Sequence, residues 1–347
     1  MYTKRLGDGQ STQQRGGRMG TFYFDADANL EALKGRAVAV LGYGNQGRSQ
    51  ALNLKDSGVD VVVGNREDPY AANARADGWA VLGLADAAAR SDVKLILISD
   101  DAQPEVFERD IRPTLKPNDV ISFAHGFNIH YGEIVPPKTI DVVMVAPRML
   151  GEGVRENFLS GRGYPSFVAV HQDASGKARD ACLAVAKGIG STRMGVLESS
   201  FEEETLIDLF EEHQPALYAL RAMYEALIEA GCSPEAVMLD LYASGESVKW
   251  AEAGRDYGAF ERMKIASRTA RFGHLVWSKQ YFDHDKTREG MRRMIANIKD
   301  GSFMKALREQ RRANMRAVES VKAENDTHAM MIEEEKLYRF LGRRPKG

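Results

Sequence analysis

The sequence predicts an α/β domain built on a mostly parallel sheet, followed by an all-helical domain. Three observations carry that expectation. The apolar run Val38 to Leu41 breaks into Gly42-Tyr43-Gly44-Asn45-Gln46-Gly47, a strand entering G-x-G-x-x-G. From Gly35 to about Leu197, apolar β-rich runs alternate with helical stretches, which implies strands covered by helices on both faces. From Phe201 to about Tyr338 there are almost no β-branched runs and only two prolines, Pro215 and Pro234, and apolar residues recur at helical spacing.

Each element follows in order. Residues 1–21 are polar and glycine-rich, lack the apolar core of a secretory signal, and read as a flexible tail. In the glycine turn, Gly42 permits the tight bend, Gly44 lets the backbone approach phosphates, and Gly47 allows close helix packing. Arg48 to Lys55 reads as helix, Gly58 stops it, and Asp60 to Gly64 reads as a second strand. Glu67 and Asp68 follow about 20 residues past the last glycine, where a ribose 2′-hydroxyl finds its acceptor in a Rossmann-type dinucleotide site. Further strands are expected at Lys94–Ser99, Val120–Phe123, Asp141–Ala146 and Phe167–His171. The Rossmann domain is therefore placed at 22–197 and the helical domain at 198–347. In the helical half, Leu206, Leu209, Phe210, Leu217, Leu220 and Tyr224 mark one apolar face. The basic stretch Arg308 to Arg316 reads as a solvated helix face and the end from Gly342 as frayed.

Composition narrows the function classes. At 347 residues the chain suits two domains. Lys and Arg number 47 against 49 Asp and Glu, a net charge of −2, so no overall field favours nucleic acid or an anionic membrane. No apolar run approaches the roughly 20 residues that span a bilayer. Cys182 and Cys232 both lie in helical-looking sequence and read as small core residues in a reducing compartment. The expectation is a cytoplasmic enzyme.

Several side chains are placed for chemistry. Asp208 and Glu212 are four apart, so both carboxylates share a helix face and could hold a hard cation such as Mg²⁺; Asp240 and Ser244 repeat the spacing. Asp208 lies between Ile207 and Leu209, and Asp240 between Leu239 and Leu241. Buried there, each carboxylate would need a metal or cationic partner. His125 and Arg148 follow expected strands, at the carboxyl ends that face the ligand crevice of a doubly wound sheet. A loop histidine and a surface ion pair are the plain alternatives, about equally weighted; His130 reads as surface.

On the segments GYGNQGRSQALNLKDSG, QPEVFERDIRPTLKP, FAHGFNIHYGEIVPP, VAVHQDASGKARD and EEETLIDLFEEHQ, the chain resembles ketol-acid reductoisomerases of the short, single-helical-domain class, from about Phe22 to the C-terminal helices. The resemblance implies two Mg²⁺ ions, alkyl migration within a 2-hydroxy-2-methyl-3-keto acid or its ethyl homologue, and reduction of the resulting 2-keto acid by a nicotinamide cofactor. It implies a knotted helical domain that pairs with another subunit, giving a homodimer or higher homo-oligomer. Asp208 then matches the carboxylate bridging the two metals, Glu212 its helix partner, His125 the active-site histidine, and Ser267 the serine holding the substrate carboxylate.

Other positions depart from the family pattern. Asp240 and Ser244 stand where two glutamates are expected, Arg148 where a lysine is, and Met149-Leu150-Gly151 where Gly-Pro-Gly is. His213 replaces an amide and Arg271 a glutamate. The expectation is a reductase that keeps hydride transfer and at least one metal site on Asp208, Glu212 and Asp240, with alkyl migration altered or lost and a more anionic acid as substrate. The alternatives are an authentic ketol-acid reductoisomerase and a catalytically silent dinucleotide-binding protein. Cofactor contacts are expected from Gly42 to Gly47, Arg66, Asp68 and His125. The loop from Asn65 to Tyr70 carries two acids in place of the serines expected around a 2′-phosphate, which favours NADH, while Arg66 leaves NADPH possible.

Overall fold

The structure, a computed structural model, describes residues 20–343. The tail read at 1–21 lies almost wholly outside the described residues, as does the end from 344. The chain divides into two compact units at Thr205/Leu206, later than the boundary expected at 197, because the first turn of the helix Phe201–Glu212 packs with the sheet domain.

Among the described residues the first unit carries a nine-stranded sheet: β1 (Phe22–Tyr23), β2 (Val38–Leu41), β3 (Val61–Gly64), β4 (Val81–Leu82), β5 (Val93–Ile96), β6 (Val120–Phe123), β7 (Asp141–Pro147), β8 (Ser166–Gln172) and β9 (Val196–Glu198). Their order is β1-β9-β8-β7-β6-β5-β2-β3-β4. All neighbours run parallel except β1 with β9 and β7 with β8. Strands β2, β5, β6 and β7 are buried along their whole length, as continuous apolar runs covered on both faces should be. Alternate residues feed two cores. One gathers Val38, Val40, Leu54, Tyr164 and Val185, and the other Leu41, Phe107, Phe123, Met144 and Phe201. At the far end of the sheet from the site, Lys94 on β5 is fully buried; its ammonium donates to Asp119 at 2.7 Å and to the Ser91 carbonyl at 2.6 Å.

After β9 the described residues form helices only, as expected. The second unit's core is small: Tyr224, Val237, Met238, Ala243, Met330 and Leu337. Of the apolar face read from periodicity, Leu209 and Tyr224 are buried, but Leu217 is 80% exposed. Helical spacing fixes which residues share a face, not whether that face has cover. Cys182 is buried, and burial pushes its thiol up to about 12, whereas Cys232 is exposed, contrary to its reading as a core residue. It sits in the turn after the helix Ala216–Glu229, and turn positions face outward. Among the described residues no helix is long and apolar enough to cross a membrane.

Candidate active site

The strand order reverses at β2, with β3 on one side and β5 on the other. The carboxyl ends of β2, β5, β6 and β7 therefore border the crevice where such sheets bind ligands. Gly42 leaves β2 at φ +99°, open to glycine alone, and an added Cβ would lie 2.8 Å from the Ile98 nitrogen. At Gly47 a Cβ would fall 1.9 Å from the Gly42 carbonyl oxygen, so the helix Asn45–Asp56 can approach the turn only without a side chain. Gly44 caps that helix, makes no side-chain cap bond, and would present a Cβ to open space. A helix start with no side chain on its first N–H groups and room above them fits a pyrophosphate.

Neighbouring side chains hold the turn. Tyr43 N–H donates to Asn65 Oδ1 at 2.9 Å. The Tyr43 hydroxyl donates to Asp77 at 2.9 Å and accepts from the Trp79 indole at 2.8 Å. Burial and the adjacent Asp77 push that hydroxyl's pKa far up, so it stays protonated. Arg48 clamps Asp77 through two N–H groups at 2.7 and 2.9 Å. Gln46 donates to the Met149 carbonyl at 2.9 Å, and the helix Gly151–Leu159 starts so close that a Cβ on Gly151 would lie 2.0 Å from the Asn45 carbonyl.

At the ribose end the acids have defined partners. Asp68 is the N-cap of the helix Pro69–Ala76, accepting from Tyr70 and Ala71 N–H and from Asn65 Nδ2, while Arg66 donates to its other oxygen. Asp followed by Pro at the first helical position signals this role. Glu67 and Arg75 form a bidentate exposed pair, both contacts 2.7 Å. Arg66, Glu67, Arg75 and Arg109 line an open pocket of about 430 Å³ beside β4.

At the ends of β5, β6 and β7 the structure brings together His125, Arg148 and two residues that sequence reasoning passed over, Asp100 and Glu204. His125 Nδ1 lies 2.8 Å from Asp100 Oδ2. Glu204 is fully buried; it accepts from the Gly126 N–H at 2.7 Å and from Arg148 Nη2 at 2.8 Å. Arg148 also donates to the Ala146 carbonyl and lies 4.9 Å from the Phe167 ring centroid, and its acidic partner is buried, so the pair is not an ordinary surface one. Gly126 has no room for a side chain, since a Cβ would meet the Phe201 carbonyl at 2.4 Å. Glu204 hid among Glu202, Glu203 and Glu204. The available signal was its place one turn before Asp208, on the same face. His130, read as surface, is half-buried, and burial lowers its pKa.

Which residues fit a cation follows from donor chemistry. His125 and Glu204 offer ligand atoms within 4.8 Å of one another. Yet Arg148 already balances Glu204, and an imidazole suits Mg²⁺ less well than oxygen does. Asp208 and Glu212, on the last turns of the helix Phe201–Glu212, offer carboxylate oxygens, the donor type a hard cation takes. Asp208 is half-buried and Asp240 exposed, not enclosed by their apolar neighbours, because adjacent helix residues point roughly 100° apart. Asp240 lies in a π-turn, Leu239–Ala243, in which the Ser244 N–H reaches back to the Leu239 carbonyl. Ser267 caps the helix Arg268–Leu275 and accepts from Ala270 N–H at 3.1 Å. Arg271, one turn on, is exposed, and His213 packs on Phe303 with ring centroids 4.2 Å apart.

Comparison with known proteins places this arrangement. Residues 32–195 match the NADPH-binding domain of acetohydroxy acid isomeroreductase, and residues 201–341 match the C-terminal domain of ketol-acid reductoisomerase. The NADP(+) ketol-acid reductoisomerase of Pyrobaculum islandicum is 43% identical over 295 residues, 83% of this chain and 87% of that protein. The corresponding enzyme of Pyrobaculum calidifontis is also 43% identical, over 83% of this chain and 88% of its own. An NADH-preferring ketol-acid reductoisomerase from an uncultured archean superposes with a TM-score of 0.86 at 32% identity, covering 92% of this chain and 98% of that one. With a nucleotide turn, a strand-end histidine and a carboxylate helix in the matched segments, the chain belongs to the ketol-acid reductoisomerase family of NAD(P)H-dependent oxidoreductases.

Proposed function

We propose that the chain performs the reaction its family is named for, rearranging a small 2-hydroxy-3-keto acid by alkyl migration and reducing the 2-keto acid that results. The observation that carries this reading is 43% identity to relatives of that name over 83% of the chain. When bound, the nicotinamide supplies the hydride, and Mg²⁺ on Asp208, Glu212 and Asp240 supplies positive charge at the substrate oxygens. His125 exchanges a proton at Nε2. Arg148, held by Glu204, sets a fixed guanidinium at the end of β7, and Ser267 donates its hydroxyl to the substrate carboxylate. Two copies or more assemble through the helical unit, whose apolar side chains are only partly covered within one chain, and the enzyme works in the cytoplasm.

NADH is the favoured cofactor. Glu67 places a carboxylate at the ribose end, and the nearby guanidinium groups of Arg66 and Arg75 are each paired with an acid. NADPH, bound through Arg66, is the alternative. Comparing kcat/KM for the two cofactors decides, and a preference for NADPH overturns the choice.

A second reading has its own support. Glu204, one turn before Asp208, is tied to an arginine that keeps its charge at any working pH, where the family carries a lysine. Asp240 is one methylene shorter than the expected glutamate, and Ser244 is neutral. Together these weaken a second cation, and with it the migration, while leaving hydride transfer. Arg148 adds no net charge, because Glu204 balances it, so a more anionic substrate rests on Arg271. The assay supplies 2-acetolactate or, separately, the rearranged 3-hydroxy-3-methyl-2-keto acid, with Mg²⁺ and NADH or NADPH. Turnover of both supports the first reading and turnover of the rearranged acid alone the second. Failure of both, with cofactor still bound, leaves a silent dinucleotide-binding protein.

A further inference from the structure

We propose that Asp100 is a positioning residue for His125, fixing its ring with the proton on Nδ1 so that Nε2 is the atom through which protons are exchanged. Asp100 follows β5 and His125 follows β6, neighbouring parallel strands whose ends open on the same crevice. An ionised carboxylate only accepts hydrogen bonds, so the 2.8 Å contact from His125 Nδ1 to Asp100 Oδ2 requires the proton on Nδ1.

What separates this pair from an incidental loop contact is the bracing behind it. Asp100 Oδ1 accepts from Gln103 Nε2 at 3.1 Å, and the same amide nitrogen donates to the Ile98 carbonyl at 2.9 Å. Gln103 Oε1 accepts from Asn128 Nδ2 at 2.9 Å, and Asn128 Nδ2 also donates to the Asp100 carbonyl at 3.0 Å. Gln103 and Asn128 are 4% and 1% exposed. Burying two side-chain amides is costly unless their polar atoms are paired. Here the pairing is directed at Asp100: one amide holds its carboxylate, the other its backbone. Asn128 lies three residues past His125, so the ring and its acceptor are tied from both strand ends. On the other side the Gly126 N–H is held by Glu204, which fixes the peptide next to His125 without touching Asp100. The ring is therefore oriented by one carboxylate and its backbone by another. The three-group order, carboxylate to imidazole to reacting atom, is how a histidine's tautomer is kept correct in other acid–base sites.

The catalytic part of this inference rests on the reductase reading above; the tautomer does not. In ¹⁵N-labelled protein, with H125Q used to assign the ring signals, long-range proton–nitrogen correlation is expected to show the His125 proton on Nδ1 at neutral pH. D100N, whose amide can offer a donor to Nδ1, is expected to move the proton to Nε2 and to lower kcat at least about 100-fold, with the cofactor KM changed less than about 3-fold. D100E is expected to restore part of kcat and the Nδ1 tautomer. A wild-type ring protonated on Nε2 overturns the proposal whether or not turnover is found, as does a D100N enzyme within about 3-fold of wild-type kcat. If no acid is turned over while the tautomer shifts as stated, the functional reading fails and the assignment of Asp100 stands. The wild-type spectrum alone decides the tautomer if D100N does not fold.

Discussion

The two units solve the burial problem differently. In the first, the central strands are closed on both faces, and even its buried charges, Lys94 and Glu204, sit against partners. In the second, Leu217, Phe260 and Tyr281 are each more than three-quarters exposed, and among the described residues its buried cluster gathers six side chains. A sheet sandwiched by crossover helices completes its own core, because each strand is covered by the helices that connect it. Helices joined by short turns have no such guarantee, and the surplus apolar surface is of the kind that marks an association face. The first unit therefore closes its own core, while the second leaves large apolar side chains in the open within one chain.

The sharpest way to break this contrast is at Glu204. E204A leaves a guanidinium and an N–H without their buried acceptor and is expected to cost about 3 kcal/mol or more, read by chemical denaturation, together with loss of turnover. Retained stability would mean that the first unit tolerates an uncompensated polar site. Next, G47A pushes a methyl against the Gly42 carbonyl. It should cost about 1–3 kcal/mol and abolish detectable nicotinamide binding in a fluorescence titration. A variant that binds cofactor normally would remove the close-packing role of that glycine. In the second unit, the double change L217K/F260K is expected to leave the first unit's folding within about 0.5 kcal/mol while shifting the assembly towards monomer in light scattering. An unchanged mass would place the association face elsewhere.

The smallest effect concerns acid. The Arg48 guanidinium, with help from the Tyr43 hydroxyl, holds the Asp77 carboxyl below its usual 3.8. The folded state then binds fewer protons than the unfolded one in that range. Its contribution is complete above pH 3.8 and is lost as the pH falls through the lowered value. D77N should therefore flatten the acid limb of a stability profile. An unaltered limb shows that Asp77 adds nothing to it.

Much of the first unit was legible because its signals are local. Val38–Leu41, Val120–Phe123 and Asp141–Ala146 are contiguous apolar runs bounded by turns, and each is a strand in the structure, the last reaching Pro147. His125 and Arg148 were singled out by one rule about strand ends, and both follow such ends in the structure. Asp68 shows the limit of spacing: the distance from the glycines suggested a ribose acceptor, while the Asp-Pro pair signalled the cap it forms. Asp100 was not legible, and Glu204 only through its spacing from Asp208. Each has an acidic neighbour in sequence, and packing selects which carboxylate turns inward.

The sequence by itself determined the α/β half followed by the helical half, six of the nine described strands, the glycine turn, and the departures at Arg148, Asp240, Ser244 and Arg271, since these depend on residue type and short-range spacing. The tertiary structure alone decided that Glu204 balances Arg148, that Asp100 faces His125, and that Leu217 and Cys232 lie outside the core. Those outcomes join residues up to 56 positions apart, or depend on whether a face has cover. Neither is encoded in local periodicity.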